Sequence, residues 1–422
     1  MKNLLFIVYY FPPMGGSGVQ RPLKFIKFMR EQGWNPIVLC PEPGAYHTFD
    51  ESLQEELESL NIEVHRVEGN TPFHSLSQQK REVNISDKFA KILRWCSSFF
   101  YLPDNKVKWV KSGLKKALEL IETEKIDLIF STAPPYSNLM LASQVKQKTG
   151  LPVVMDLRDD WLGSHLINYP TPWHKRSMQK IESATLGFAD SIITINDKIA
   201  GNLQSRTKKN VEVIGHGYDP DDFNFEVSSE VKGKDKLKFL YSGSFYPDSR
   251  PDSFLLAMHS LLKEDPVLED LIELYFQGGL NTEHKKLISK LNLENVTVDY
   301  GYLSHKKAVQ NLMQADVLWL NVGQKKNKEI ISLGKTSEYF ATKKPILGLV
   351  PDGSAKELLQ KYGKSFIADP YDTPGIKHQI REIIKHHKND DWPKCSEKFV
   401  VSFDRRELTK KLVKIFNEIS VP

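Results

Sequence analysis

An α/β architecture with two doubly wound parallel sheets is what this sequence predicts, and three observations predict it. Short runs rich in Val, Ile and Leu alternate with helix-length amphipathic segments along the chain, the pattern of parallel strands covered on both faces by crossover helices. The alternation pauses once, at the polar stretch 224–238, and then resumes. The length, 422 residues, suits two domains at roughly 100–200 residues each.

The first half predicts strands at 4–10, 36–40, 64–67, 127–132, 152–157, 191–195 and 211–214, each followed by a segment of helical period or a turn. The opening run, LLFIVYY, follows a lysine as a secretory leader would. It leads straight into FPPMGG and an amphipathic segment, however, and so reads as a first buried strand. Residues 224–238, NFEVSSEVKGKDKLK, are charged and almost without apolar period, which marks a linker. The second half predicts strands at 239–243, 272–278, 296–301, 316–321, 345–350 and 365–369. The last helical stretch, RRELTKKLVKIFNEI, can pack on either domain. The expected organisation is an N-terminal domain (1–223), a linker (224–238), a C-terminal domain (239–400) and a C-terminal helix (401–422) able to return to the first domain.

Composition narrows the functional classes. A hydrophobic fraction of 40% and a charged fraction of 26% belong to a globular protein. No apolar stretch approaches the roughly 20 residues that span a bilayer. Cys40, Cys96 and Cys395 lack metal-ligand or C-x-x-C spacing and read as reduced, so a cytoplasmic location is expected. The net charge of +5 is spread along the chain, which argues against a nucleic-acid partner. The exception is 88–116, where Lys88, Lys91, Arg94, Lys106, Lys108, Lys111, Lys115 and Lys116 interleave with Phe89, Trp95, Phe99, Phe100, Tyr101 and Trp109. That pattern suits a surface touching anionic lipid, or equally an aromatic core with solvated lysines.

In open parallel sheets, ligands bind beyond the carboxyl ends of the strands, so the turns after strands hold the candidate site residues. After the first strand, Gly15, Gly16 and Gly18 let the backbone approach a phosphate or sugar, with Arg21 one turn on as an anion contact. The spacing is neither G-x-G-x-x-G nor a P-loop, so it supports no dinucleotide or ATP site. STAPPYSN and DLRDDWLGSH bring Tyr136, Ser137, Asp156, Arg158, Asp159 and His165 to adjacent strand ends. Carboxylates beside an arginine suit proton transfer or holding sugar hydroxyls; they also suit a buried structural ion pair. The acidic pairs, here and at Asp221 and Asp222, lack the spacing of a metal site. In the second half, Gly243 and Ser244 form a turn, and Arg250 just precedes a helix that Pro251 opens; the arginine fork suits a diphosphate. Lys335 and Glu338, three apart at a helix start, suit phosphate and ribose hydroxyls, or an i, i+3 ion pair.

Taken together these residues resemble the family 4 retaining glycosyltransferases of GT-B fold, over nearly the whole chain. In GKTSEYFATKKPIL, Glu338 matches the second glutamate of the family's E-x-x-x-x-x-x-x-E motif, and Lys344 and Pro345 match the G-K-P after it. The first glutamate is absent: its place falls on Ile330, beside Glu329. SGSFYPDSRP resembles the G-R-x-x-x-x-x-K phosphate site, with Ser244 for the arginine and Arg250 for the lysine. Lys335, in a K-x-x-E arrangement, would supply the missing charge. The segment IGHGYDPDDF is similar to the family's N-G-x-D stretch, with His216 for the asparagine. The STAPPYS and DLRDDW turns resemble a subgroup acting on cell-surface polysaccharide precursors.

The resemblance implies two Rossmann-like domains facing a central cleft, and metal-independent transfer, with retention, from a nucleotide-diphosphate sugar to a saccharide or lipid-linked acceptor. No cofactor is expected. It places Asp156, Arg158 and Asp159 at the catalytic centre. Donor binding falls to Gly15, Gly16, Gly18, Gly243, Ser244, Arg250, Lys335 and Glu338, and the acceptor side to Arg21, Tyr136, Ser137 and His165. A sugar-nucleotide epimerase or phosphorylase of the same fold, and a non-catalytic nucleotide-sugar-binding partner, are the alternatives.

Overall fold

The computed structural model describes residues 1–43, 49–69, 95–164, 167, 169–224, 236–245, 249–323 and 334–420. Two compact units make up the chain. The first comprises Met1–Gly215 and Arg405–Pro422, the second His216–Asp404. Most of the stretch expected as a linker, 225–235, lies outside the described residues. The chain enters the second unit before that stretch, at His216, because Tyr218 and Phe223 already pack into the second unit's core.

The first unit holds a seven-stranded sheet: β1 (Lys2–Ile7), β2 (Trp34–Pro41), β3 (Glu63–Val67), β4 (Ile126–Ala133), β5 (Val153–Leu157), β6 (Ser191–Thr194) and β7 (Val211–Val213), in the order β3-β2-β1-β4-β5-β6-β7. Every neighbouring pair is parallel. The second unit holds six strands, β8 (Leu237–Ser242), β9 (Ile272–Gln277), β10 (Thr297–Asp299), β11 (Val317–Asn321), β12 (Ile346–Leu349) and β13 (Ser365–Ala368), ordered β10-β9-β8-β11-β12-β13 and again all parallel. Each predicted run overlaps one of these strands, although the first strand ends at Ile7 and not at residue 10. The strand order reverses between β1 and β4, and again between β8 and β11, which puts a switch point at the carboxyl ends of each pair.

Burial explains why the strands read so plainly. β1, β4, β5, β11 and β12 lie between helical layers, so their side chains are inside on both faces and the sequence shows runs rather than alternation. Helices begin where a short polar side chain can satisfy a free N–H. Asn196 accepts from the Ile199 N–H and Asn281 from the His284 N–H. Thr171 does the same for His174, with Pro172 supplying the fixed φ of a first helical residue.

The last helix, Arg405–Ile419, belongs to the first unit and packs against helix Ser17–Met29. Its Phe416 ring lies 5.4 Å from that of Trp34 and 5.7 Å from that of Phe130, and Trp34 Nε1 donates to Asn417 Oδ1 at 3.1 Å. Phe416 is fully enclosed. Phe416→Ala is expected to cost about 3–5 kcal/mol through lost burial and the cavity left behind, read as a fall in the urea midpoint with an unchanged slope.

Candidate functional site

In the first unit the strand-end residues form a scaffold more than a reactive surface. Arg21 is 1% exposed and Asp156 0%. The Arg21 guanidinium grips the Asp156 carboxylate with Nε and Nη2, both at 2.9 Å, and donates to the Ile214 and Gly215 carbonyls at 2.8 and 2.7 Å. Asp156 also accepts from Thr132 Oγ1 at 2.7 Å. The structure therefore corrects two expectations. Arg21 is not an acceptor-side anion contact and Asp156 is not a catalytic group, because their polar atoms face each other and the backbone inside the unit.

Arg158 is corrected in the same way. Its Nε donates to the Ala133 carbonyl at 3.1 Å, Nη2 to Pro134 O at 2.8 Å and Nη1 to Gly18 O at 2.7 Å. The last contact has a local cause. Pro22 sits inside helix Ser17–Met29 and has no N–H, so the carbonyl four residues earlier, that of Gly18, lacks its helical donor. Arg158 supplies it. One side chain thus braces the Gly-rich turn to the turn after β4. Tyr136 and Ser137, expected on the acceptor side, are also interior: Tyr136 stacks on Trp161 with centroids 4.5 Å apart, and Ser137 is fully enclosed. His165 lies outside the described residues. Asp159 keeps partial exposure beside Arg158 and is the carboxylate of this group that solvent reaches.

The Gly-rich turn itself stays open. Gly16 adopts φ 96°, a left-handed conformation that favours glycine, and helix Ser17–Met29 starts there with neither a side-chain cap nor an acidic residue in its first turn. The first unit also holds a group the sequence reading missed. Asp104 accepts from the Ser137 and Lys106 N–H groups, both at 2.9 Å, and burial raises its carboxyl pKa. The Tyr10 hydroxyl is pushed up to about 12 by burial and then by the Asp104 charge, with Arg158 opposing. In the sequence, Asp104 follows a proline and looks like an ordinary turn former.

In the second unit three turns converge at the switch point. Gly243 ends β8 at φ 115°, and Gly278 ends β9 at φ 114°. A Cβ on Gly278 would lie 2.6 Å from the Gly243 carbonyl carbon, so only glycine lets the two turns approach. Behind them, buried Gln277 donates to Ser242 Oγ at 3.0 Å and accepts from Asn311 Nδ2 at 3.1 Å. Ser244 is exposed and its hydroxyl donates to Gly278 O at 3.4 Å. The short helix Lys335–Ala341 is pinned to this point by Tyr339. Its hydroxyl accepts from the Ser242 N–H at 3.0 Å and donates to Trp319 O at 3.3 Å.

That anchor sets Lys335, one turn earlier on the same helix face. Lys335 Nζ donates to Ser242 O at 2.9 Å and sits 3.7 Å from the Tyr241 ring centroid, against the Gly243 turn. Burial lowers its pKa to about 7, and among the described residues no carboxylate pairs with it. Glu338 Oε1 meets His305 Nε2 at 3.1 Å, and His305 Nδ1 is 3.9 Å from Asp222 Oδ2. His305 was not singled out in the sequence, although it opens the helix following β10 and the rule that useful residues follow strands reaches it. Arg250 stands differently from expectation: it is solvent-exposed and held by Asp252 at 2.9 Å and Glu283 at 2.7 Å, so its charge is already matched. The position of the first motif glutamate, at Ile330 and Glu329, lies outside the described residues. Among the described residues no three His, Cys, Asp or Glu side chains gather into a group able to hold a metal ion, and no helix is long and apolar enough to cross a membrane.

Comparison with known proteins agrees with this layout. The family model described as Glycosyltransferase Family 4 matches residues 23–222, and that of Glycosyl transferases group 1 matches residues 222–398. None of the curated proteins matches the sequence. Among solved structures, a glycosyltransferase from Rickettsia africae is 15% identical, with a TM-score of 0.67 over 99% of this chain and 98% of that one. HepE from Anabaena, solved with UDP-glucose, is 14% identical with a TM-score of 0.64 over 99% and 100%. A UDP-GlcNAc 2-epimerase from Neisseria meningitidis, bound to UDP-GlcNAc, is 13% identical with a TM-score of 0.60 over 99% and 100%. At these identities the likeness is one of fold. Asp156→Ala is expected to destabilise the protein by about 3–5 kcal/mol, because it strands the buried Arg21 charge; the thermal melting curve checks this, and an unshifted melt would return Asp156 to the catalytic candidates.

Proposed function

Because this chain belongs to the family 4-type glycosyltransferases of GT-B fold, we propose that it transfers a sugar from a nucleoside-diphosphate sugar to a saccharide or lipid-linked acceptor, with retention and without a metal, in cell-surface polysaccharide assembly. The carrying observation is Lys335. An ammonium half-buried against a glycine turn, with its charge unmatched by any carboxylate among the described residues, is placed for an anion that comes with the substrate. A diphosphate on the Gly243 and Gly278 turns would supply that anion and restore the cation's normal basicity. Glu338, oriented by His305, would accept from the ribose hydroxyls, the role the resemblance gives it.

Sugar departure loads negative charge on the diphosphate, and a fixed cation stabilises that charge more in the transition state than in the ground state. Lys335 does this without reorganisation, since its backbone bond and the Tyr241 ring already hold it. Arg250 could join only by leaving Asp252 and Glu283, so Lys335 carries the larger share. Asp159, at the end of β5 and partly exposed, is the carboxylate of the first unit suited to an acceptor hydroxyl. Retention and the polysaccharide setting rest on the resemblance, and the likeness to donor-bound relatives supports the donor class.

Three outcomes are expected. In a thermal-shift screen one nucleotide sugar stabilises the protein, by about 2.7 kcal/mol at 100 times its dissociation constant; stabilisation by no donor overturns the proposal, and binding without transfer to any acceptor favours the non-catalytic reading. Lys335→Ala weakens donor binding by about 1.5–3 kcal/mol, roughly 10- to 150-fold, and Glu338→Ala weakens it too. Donor affinity is level below pH 7 and falls with rising pH above it, by up to tenfold per unit, because the free protein must take up a proton at Lys335 to bind. Titration calorimetry across pH checks this, and Lys335→Arg should flatten the profile.

A further inference from the structure

The basic and aromatic stretch 88–116 divides in the structure. Residues 88–94 lie outside the described part. Trp109 is core. Trp95, Phe99 and Phe100, on the short helix 95–100, are 46%, 40% and 74% exposed. A fourth ring joins them from elsewhere in the sequence: Trp173, in the first turn of helix Pro172–Gly187, is 64% exposed. The rings are contiguous. Trp95 stacks on Phe99 at 5.4 Å, Phe99 meets Phe100 at 5.3 Å and His174 at 4.9 Å, and Trp173 meets His174 at 4.9 Å. Buried His174 clips the two helices together, its Nε2 donating to the Phe99 carbonyl at 3.1 Å. The rings are thus held outward by a fixed joint.

In the described residues of the two segments that carry the rings, the exposed charge has one sign. Residues 172–180 hold Lys175, Arg176 and Lys180, all exposed, and no acid. Residues 95–115 contain one acid, Asp104, whose carboxylate is occupied by two backbone N–H groups. Exposed Lys108 lies 5.8 Å from the Tyr101 ring, next to Phe100. Water does not favour four large rings on a surface, and a cationic rim selects an anionic partner. A second copy of this face would bring like charges together.

We propose that the Trp95, Phe99, Phe100 and Trp173 face docks on an anionic phospholipid bilayer, with the rings entering the headgroup layer and Lys108, Lys175 and Arg176 meeting lipid phosphates. This deepens, and rests on, the reading of the chain as a transferase that reaches a lipid-linked acceptor. The full chain is spun with vesicles containing phosphatidylglycerol and with phosphatidylcholine vesicles. Expected is sedimentation with the first only, reversed by high salt. Phe100→Ser and Trp173→Ser each reduce partitioning about tenfold, and Lys175→Ala with Arg176→Ala about fivefold per charge. Retention in the supernatant at low salt, or wild-type partitioning by the ring variants, overturns the proposal; so does a dimer in solution that the ring variants dissolve. The same variants are assayed for donor-induced stabilisation. Lost vesicle binding with that stabilisation intact in the variants supports the face as a separate device, and a protein that binds vesicles but no donor overturns the transferase reading alone.

Discussion

A single phenol holds the switch point of the second unit in register. Where β8 and β11 part at the switch point, one backbone N–H and one carbonyl lose their ladder partners, and interior backbone groups left unpaired cost free energy. The Tyr339 hydroxyl serves both, accepting from Ser242 and donating to Trp319. Because the phenol belongs to the helix that carries Lys335 and Glu338, repairing the fork also fixes where those two side chains stand. The first unit meets the same need with guanidinium groups. Near its switch point Arg21 and Arg158 saturate the Asp156 carboxylate of β5 and carbonyls after β4, after β7 and in the first helix.

The two units share a topology but put their polar groups to different ends. In the first, cations and anions are paired and enclosed, which makes a stiff platform for the Gly16 turn and for Asp104. In the second, one cation is left with the carbonyl of Ser242 and an aromatic face as its neighbours. An unmatched charge in a tight site is a cost to the free protein and a source of affinity for whatever neutralises it. The contrast between Lys335 and Arg250 shows why position outweighs residue type. Arginine is the better phosphate ligand in isolation, yet Arg250 is exposed and already neutralised, whereas Lys335 has no anionic competitor among the described residues.

Inner strands such as β1, β4, β5, β11 and β12 were legible in the sequence because burial on both faces writes itself as continuous apolar runs, and the partly exposed edge strands β3, β7 and β10 because short valine-containing runs stand between turns, both local signals. The glycine turns and the K-x-x-E helix were legible for the same reason. What escaped was whatever depends on a distant partner. Arg21 and Asp156 each look like site residues; only the fold shows that they face one another. Asp104 gains its environment from Ser137, and His305 from Glu338. The exposed rings were half legible: composition marked 95–101, but nothing in the sequence ties Trp173 to them.

The bond from Arg158 to Gly18 joins a defect in one helix to a side chain from a remote turn. Pro22 removes an amide proton, and Arg158 returns one from outside the helix. The two positions therefore form one heritable unit. A lineage that replaces the proline sets the helix's own amide in competition with the arginine, and one that replaces the arginine leaves a carbonyl with no donor, so divergence here should proceed by paired change.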